Sequence, residues 1–228
     1  MLYGNMLYGN MLSVVIPALN ASHSLRETLA SIAAADEVVV ADGDSSDKTA
    51  ELAASLGARV VRARRGRGSQ LAAGVAAAQG EWLLLLHADT RLGTGWQTSV
   101  GAHMAISPGH AGYCRFRLDS DDRRARLLER LVAWRCRVFA LPYGDQGLLI
   151  HRDLLREIGG IRPLPLMEDV DLIRRLGRRR MVALDIAAIT SAEKWQRDGW
   201  YRRSLRNLFC LTLYFAGVPP HLIVRLYA

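Results

Sequence analysis

Lysine is nearly absent from this chain: of 30 basic residues, only Lys48 and Lys194 are lysines and the rest are arginine. Cysteine is scarce as well. Cys114, Cys136 and Cys210 are too few and too scattered for a disulfide framework or a zinc knuckle, and an odd number of isolated thiols fits a reducing, cytoplasmic compartment. No run approaches about 18 consecutive apolar residues, so a conventional transmembrane helix is not expected. The longest candidates, Trp82–Leu86 and Phe209–Val218, are short. Residues 1–10 duplicate a five-residue unit but lack the basic region and cleavage site of a signal peptide. They read as a cloning or start-site artefact, with Met11 the natural start.

What is present is ordinary globular material: 228 residues, half of them apolar and 23% charged. The formal charge of +8 points to anionic partners without choosing among nucleic acid, a membrane surface and a phosphorylated small molecule. The apolar runs Ser13–Pro17, Glu37–Ala41, Arg59–Arg62 and Trp82–Leu86 alternate with helical patterns over Ser22–Ala34, Lys48–Leu56 and Gln70–Ala78. Strands with continuous apolar sequence between helices predict an α/β fold with a mostly parallel central sheet covered on both faces. Ligands bind such sheets beyond the carboxyl ends of the strands. Three of those ends carry polar residues: Pro17–Asn20, Asp42–Asp47 and His87–Thr90. Further on, strands are expected over Gly112–Leu118, Leu148–His151 and Met181–Ile189. Helices are expected over Asp122–Ala140, Arg152–Ile158, from Met167 through Leu176, and over Tyr201–Ala216, with Pro219-Pro220 breaking the last from the tail.

Asp89 follows a leucine run and His87 at a strand end, where a charge must be solvated, paired or metal-bound. Hard oxygen ligands of this kind suit Mg²⁺ or Mn²⁺. Asp42 ends the second strand and can accept hydrogen bonds from a base or ribose, whereas Asp47 reads as a turn and cap residue. Arg64, Arg65 and Arg67 stand among glycines in a loop that suits phosphate binding. Glu168 and Asp169 form a carboxylate pair at a helix start, where the helix dipole favours them. Asp145 and Gln146, in the turn Tyr143–Gly147, are candidates for acceptor binding. The stretch Trp195–Arg206 mixes arginine with aromatics that could stack on a sugar or base; peripheral contact with a membrane through this C-terminal tail is its other reading.

These residues resemble a known family. Ser13–Asn20 (SVVIPALN), Ala41–Thr49 (ADGDSSDKT), Leu84–Thr90 (LLLHADT) and Met167–Leu172 (MEDVDL) occur in the order and spacing of glycosyltransferase family 2. The motifs LHADT, YGDQG and PLMEDV and the Trp- and Arg-containing tail resemble its bacterial radical-SAM/selenodomain-associated, arsenosugar-biosynthesis-type subgroup. The resemblance covers about residues 12–227. It implies a GT-A fold and a hexosyltransferase-type enzyme that takes a sugar from a nucleotide-diphosphate donor to an acceptor hydroxyl, with a divalent cation and inversion. It places Pro17, Ala18, Asn20, Asp42, Arg67 and Asp89 on the donor, with Asp89 also on the metal. It makes Asp169 the base, with Glu168 orienting it, and leaves Asp145, Gln146 and Trp195 to the acceptor. The chain departs from the family where His87 stands for the first carboxylate of Asp-x-Asp, where Ala72 and Ala73 stand for a frequent asparagine, and where Ala21 stands for a frequent glutamate. The expected organisation is a transferase domain over 11–194 and a helical tail over 195–228 packed on it. The partners expected are the donor and an acceptor, with no nucleic acid. The rivals are an inactive or binding-only relative, a sugar nucleotidyltransferase, and a basic module that binds nucleic acid or a membrane surface.

Overall fold

The computed structural model describes residues 11–227, so the expectation for residues 1–10 lies outside the described residues. Four parallel strands form one half of the sheet: β1 (Leu12–Ala18), β2 (Glu37–Asp42), β3 (Arg59–Arg62) and β4 (Trp82–Leu85). Between them run α1 (Ser22–Ser31), α2 (Thr49–Ser55) and α3 (Arg67–Ala77). The second half holds β5 (Thr90–Leu92), α4 (Trp96–Ile106), β6 (Ala111–Asp119), α5 (Arg123–Phe139), β7 (Leu148–His151) and α6 (Arg152–Glu157). It continues with α7 (Glu168–Leu176), β8 (Met181–Ser191), α8 (Glu193–Asp198), α9 (Trp200–Phe215) and α10 (Pro220–Tyr227). The strand order across the eight-stranded sheet is β3-β2-β1-β4-β7-β6-β8-β5. Pairing turns antiparallel where β7 joins β4 and β6, is parallel again between β6 and β8, and is antiparallel at β5.

The side-chain period of two in a strand explains the layers. Along β1, Val14 and Ile16 enter one core and Val15 enters the other; along β4, Trp82 and Leu84 face the first and Leu83 and Leu85 the second. Strands buried on both faces cannot alternate with polar residues, which is why these runs are apolar throughout. The first core packs under α1 and α4, the second under α3, α6 and α7. Helix α3 comes close to β1 because Gly74 has no side chain: a Cβ there would collide with Cγ1 of Val15.

Four elements lie outside the sequence expectation: β5, α4, α8 and α10. Pro219-Pro220 lies in the break that parts α9 from the rest of the tail, and Pro220 opens α10. Proline suits a first helical position because its missing N–H would have no intrahelical partner there. Leu84 is fully buried in the first core. Leu84→Ala is therefore expected to cost roughly 2–5 kcal/mol by loss of burial and creation of a cavity. Urea unfolding with an unchanged m-value checks this, and a cost below about 1 kcal/mol would show that the core does not depend on that layer.

Candidate active site

Beyond the carboxyl ends of β1 and β4 lies an open cleft of about 970 Å³. Its walls come from the segment after β1, the start of α3, the His87–Asp89 turn, the 3₁₀ turn Gly144–Gln146, the start of α7 and the helices α8 and α9.

The wall is organised around one guanidinium. Arg67 Nε sits 2.6 Å from Oε1 of Glu168, and its Nη1 lies 2.9 Å from His87 Nε2. Arginine can only donate, so His87 Nε2 accepts and the ring proton is on Nδ1. Burial, together with the adjacent Arg67 charge, pushes the His87 pKa down to about 4, and the ring is neutral near pH 7. Glu168 is only 2% exposed; burial, opposed by Arg67, pushes its pKa up to about 7.

Three aspartates surround this pair. Asp169 Oδ2 accepts from the Gly144 amide at 2.8 Å, and its Oδ1 accepts from the Val170 amide at 2.8 Å. Burial raises its pKa, but Arg67, the Gly144 amide and His87 outweigh burial and hold the carboxyl below its ordinary value. The bond from Gly144 requires glycine: a Cβ there would stand 2.6 Å from His87 Nε2 and 3.2 Å from Asp169 Oδ2. Asp89 Oδ2 accepts from Lys194 Nζ at 2.7 Å. Burial opposes its ionisation, but Lys194 and His87 prevail and its pKa is lowered. Asp145 is the least compensated: burial pushes its pKa up to about 6 despite Arg135, and its Oδ1 has no hydrogen-bond partner.

Of the residues expected in the site, Pro17, Asn20, Arg67, Asp89, Asp145, Asp169 and Trp195 line this cleft. Four others stand behind its wall. Ala18 is buried, and its carbonyl accepts from the Gly43 amide and Gln70 Nε2. The Asp42 carboxylate is buried and taken up by the amide and hydroxyl of Ser45, at 3.1 and 2.5 Å. Glu168 supports Arg67 rather than orienting Asp169. The acceptor role expected of Gln146 is corrected, because its amide is committed to the interior. It donates to the Cys114 carbonyl and accepts from Arg135 Nη2, Cys136 Sγ and the Tyr143 amide. Asp47 is the turn group expected, bonded to the Ser22 and Thr49 amides.

Gln70 was not foreseen, and Asn20, expected on the donor, has a structural part as well. Gln70 Nε2 bridges the carbonyls of Ala18 and Ala41, at 2.6 and 3.1 Å, and so ties together the ends of β1 and β2. Asn20 adopts a left-handed backbone (φ 49°), donates its amide to Ser45 Oγ and accepts from the Ser46 amide, which clasps two strand-end loops. Nothing local in an Ala-rich helix marks Gln70. The αL-tolerant Asn20 after a strand is a readable signal. At the far end of the cleft Trp195 is buried, with the Arg203 guanidinium 5.2 Å from its ring centroid. Trp195 Nε1, Tyr143 Oη and Asn207 Oδ1 are buried in the cleft wall without partners. A buried polar atom left unpaired costs about 1–3 kcal/mol, so these groups are suited to a polar ligand.

Comparison with known proteins bears on the family and the fold. Residues 13–154 match the family model described as "Glycosyl transferase family 2". An uncharacterized glycosyltransferase of Mycobacterium tuberculosis is 41% identical over 88 residues, 38% of this chain and 40% of that protein. A relative in Mycobacterium bovis matches equally. The chain thus spans about two fifths of the length of these curated relatives. Among solved structures, glucosyl-3-phosphoglycerate synthase from M. tuberculosis, in complex with Mn²⁺ and UDP-glucose, superposes with a TM-score of 0.60. It is 21% identical, over 92% of this chain and 80% of that one. Mannosyl-3-phosphoglycerate synthase from Rubrobacter xylanophilus gives 0.57 at 21% identity, over 92% and 76%. S. aureus TarS 1-349 gives 0.63 at 16%, over 96% and 69%. At these identities the structural likeness speaks for the fold, which is that of GT-A glycosyltransferases.

The depressed pKa of His87 has a measurable consequence. Its folded value of about 4 lies below the ordinary 6.5, so the unfolded chain binds more protons between those limits. Its contribution to stability is present in full above pH 6.5 and is lost as pH falls through about 4. Melting temperatures measured from pH 7 to pH 4 should therefore fall less steeply in His87→Gln than in the parent. Equal slopes would show that His87 is not buried in its neutral form.

Proposed function

This chain belongs to glycosyl transferase family 2, and from that premise we propose that it transfers a sugar from a nucleotide-diphosphate donor to an acceptor hydroxyl, with inversion at the anomeric carbon. The observation that carries the reading is Asp169. It is held ionised by Arg67 and two backbone amides, aimed into the cleft and fixed in orientation. A carboxylate so placed can take the proton of an attacking hydroxyl as the carbon–oxygen bond forms. Its low pKa suits a reaction in which proton transfer follows the build-up of positive charge on the nucleophile.

The donor diphosphate belongs beside Asn20, Arg67 and Asp89, with Arg67 offering charge-assisted hydrogen bonds to its oxygens. Whether the site suits a divalent cation can be judged from its donors. Among the described residues no group of three or more His, Cys, Asp and Glu is placed to hold a metal ion. The carboxylate oxygens of Asp89, now on Lys194, are the ones at hand. That set fits a hard cation that draws most of its oxygen ligands from the diphosphate and from water. Asp89 would hold Mg²⁺ or Mn²⁺, which would neutralise the leaving diphosphate. His87, neutral and engaged by Arg67, replaces a second carboxylate without adding negative charge. The acceptor lies toward Asp145, Trp195 and Asn207, where unpaired polar atoms await a polyol. Support for this reading comes from neighbours of the same fold whose structures contain Mn²⁺ with UDP-glucose. The finer likeness to the radical-SAM-associated subgroup rests on the LHADT and YGDQG motifs.

A panel of nucleotide sugars, with released nucleoside diphosphate as the readout and Mg²⁺ or Mn²⁺ supplied, tests the assignment. Asp169→Asn should lower turnover by about 10²–10⁴-fold with little change in donor affinity. Asp89→Asn should weaken donor binding and shift the cation requirement. Full turnover in Asp169→Asn would remove the base assignment, and donor binding indifferent to both cation and Asp89 would remove the metal.

A further inference from the structure

Helix α5 has two apolar faces. One, with Ala125, Val132 and Cys136, packs into the protein. The other carries Leu127, Leu131, Trp134 and Val138, all exposed, at spacings of four, three and four residues that align them along one side of the helix. Helix α9 repeats the arrangement: Trp200, Arg203 and Cys210 are buried, while Tyr201, Leu205, Leu208 and Phe209 are exposed. Leu222 and Leu226 of α10 are exposed too. A soluble helix normally shows water a polar face.

The charges beside these stripes are of one sign. Helix α5 contains six arginines, at 123, 124, 126, 130, 135 and 137, and one acid, Glu129, which is buried. Neither α9 nor α10 contains an acidic residue. Arg123, Arg130 and Arg137 recur every seven residues and run alongside the apolar stripe of α5, exposed throughout. The two long helices meet at their starts, and the end of each is contacted by the segment Arg174–Arg178 at the close of α7. Arg124 lies over the Trp200 ring at their starts, and at their ends Arg178 binds the Val138 carbonyl while Arg174 lies over Phe215.

We propose that the outer faces of α5, α9 and α10 form a docking surface for an anionic lipid bilayer. Leucine, tryptophan and phenylalanine would enter the headgroup–acyl boundary while the flanking arginines meet anionic headgroups. A second copy of the chain is a poorer occupant, because it would bring arginine rows of like sign together. A nucleic acid would pair with the arginines but leave the apolar stripes without partners. No helix among the described residues is long and apolar enough to cross a membrane, so the contact is one of lying on the surface. The inner side of α9 contributes Arg203, Arg206 and Asn207 to the cleft. A bilayer under α9 would thus stand about one helix diameter, roughly 10 Å, from the cleft.

The test is co-sedimentation of the full chain with vesicles of phosphatidylcholine alone and with 40% phosphatidylglycerol, as ~0.1 and ~0.5 M salt are compared. Binding should be at least about tenfold greater on the anionic vesicles, weaken with salt, and fall about tenfold in Leu131→Glu/Trp134→Glu. Arg130→Glu/Arg137→Glu keeps the apolar stripe and should lose the preference for anionic lipid. Circular-dichroism melts of both variants verify folding, and if the first fails to fold, Leu131→Ser/Trp134→Ser replaces it. Absence of vesicle binding overturns the proposal. So does a parent chain that forms a concentration-dependent dimer dispersed by Trp134→Glu, or one that binds duplex DNA through this face in place of vesicles.

Discussion

Arg67 carries its charge between a buried glutamate and a neutral histidine, and most of the cleft wall takes its form from that placement. Glu168 lies at the first turn of α7, His87 follows β4, and Arg67 opens α3, so one guanidinium joins elements from both halves of the sheet. Glu168 is buried, so without the guanidinium its carboxylate would keep the full cost of desolvation. The effect of Arg67 passes onward by electrostatics. The positive charge keeps Asp169 ionised, and together with burial it keeps His87 unprotonated. A protonated His87 would set a second cation beside Arg67, which is the reason the ring acts as an acceptor here.

The position of the cleft follows from the sheet. Parallel strands β1 and β2 end side by side, and each end delivers a carbonyl that would be exposed where the ladder stops. Gln70 closes both with one amide group, and the Asn20–Ser45–Ser46 clasp holds the loops above them. The antiparallel β7 then takes its place beside β4 and brings the Gly144–Gln146 turn to the same edge, where the Gly144 amide meets Asp169. Gln146 contributes by anchoring that turn from inside, with every polar atom of its side chain committed.

Strands β1, β2 and β4 were legible because strands buried on both faces must be continuously apolar and must end in polar residues, and edge strand β3 showed in its Val60-Val61 pair. The motif-bearing ends were legible for the same reason: Asp89 after a leucine run, and Asp169 at a helix start, are charges in positions that demand an explanation. What escaped has physical causes. Helix α4 buries Trp96, Val100 and His103 on one side, but Thr98, Ser99 and Gly101 blur the pattern. Strand β5 is three residues long and is defined by its partner β8. The proline pair marked the break after α9 but carried no sign that Pro220 opens a further helix. Pairings between distant residues left no local trace, so neither Arg67 with Glu168 nor Lys194 with Asp89 could be inferred. The pair character of Gln146 was hidden equally, since an amide before a buried strand looks the same whether it faces ligand or core.

Charge balance in the cleft gives the site its direction. Asp89 has Lys194, and Asp169 has Arg67 with two amides, whereas Asp145 has an unpartnered oxygen and a pKa raised to about 6. The cleft is thus compensated at the donor side and under-compensated at Asp145, toward the buried Trp195. A diphosphate that arrives with its cation brings its own neutralisation and can compete with Lys194 for the neighbourhood of Asp89 without leaving any group bare. An acceptor hydroxyl meets the opposite condition: carboxylate oxygens with lone pairs to spare and few donors to occupy them. In the proposed reaction, that asymmetry would favour a nucleophile that donates its proton toward Asp169 over one that must be supplied with one.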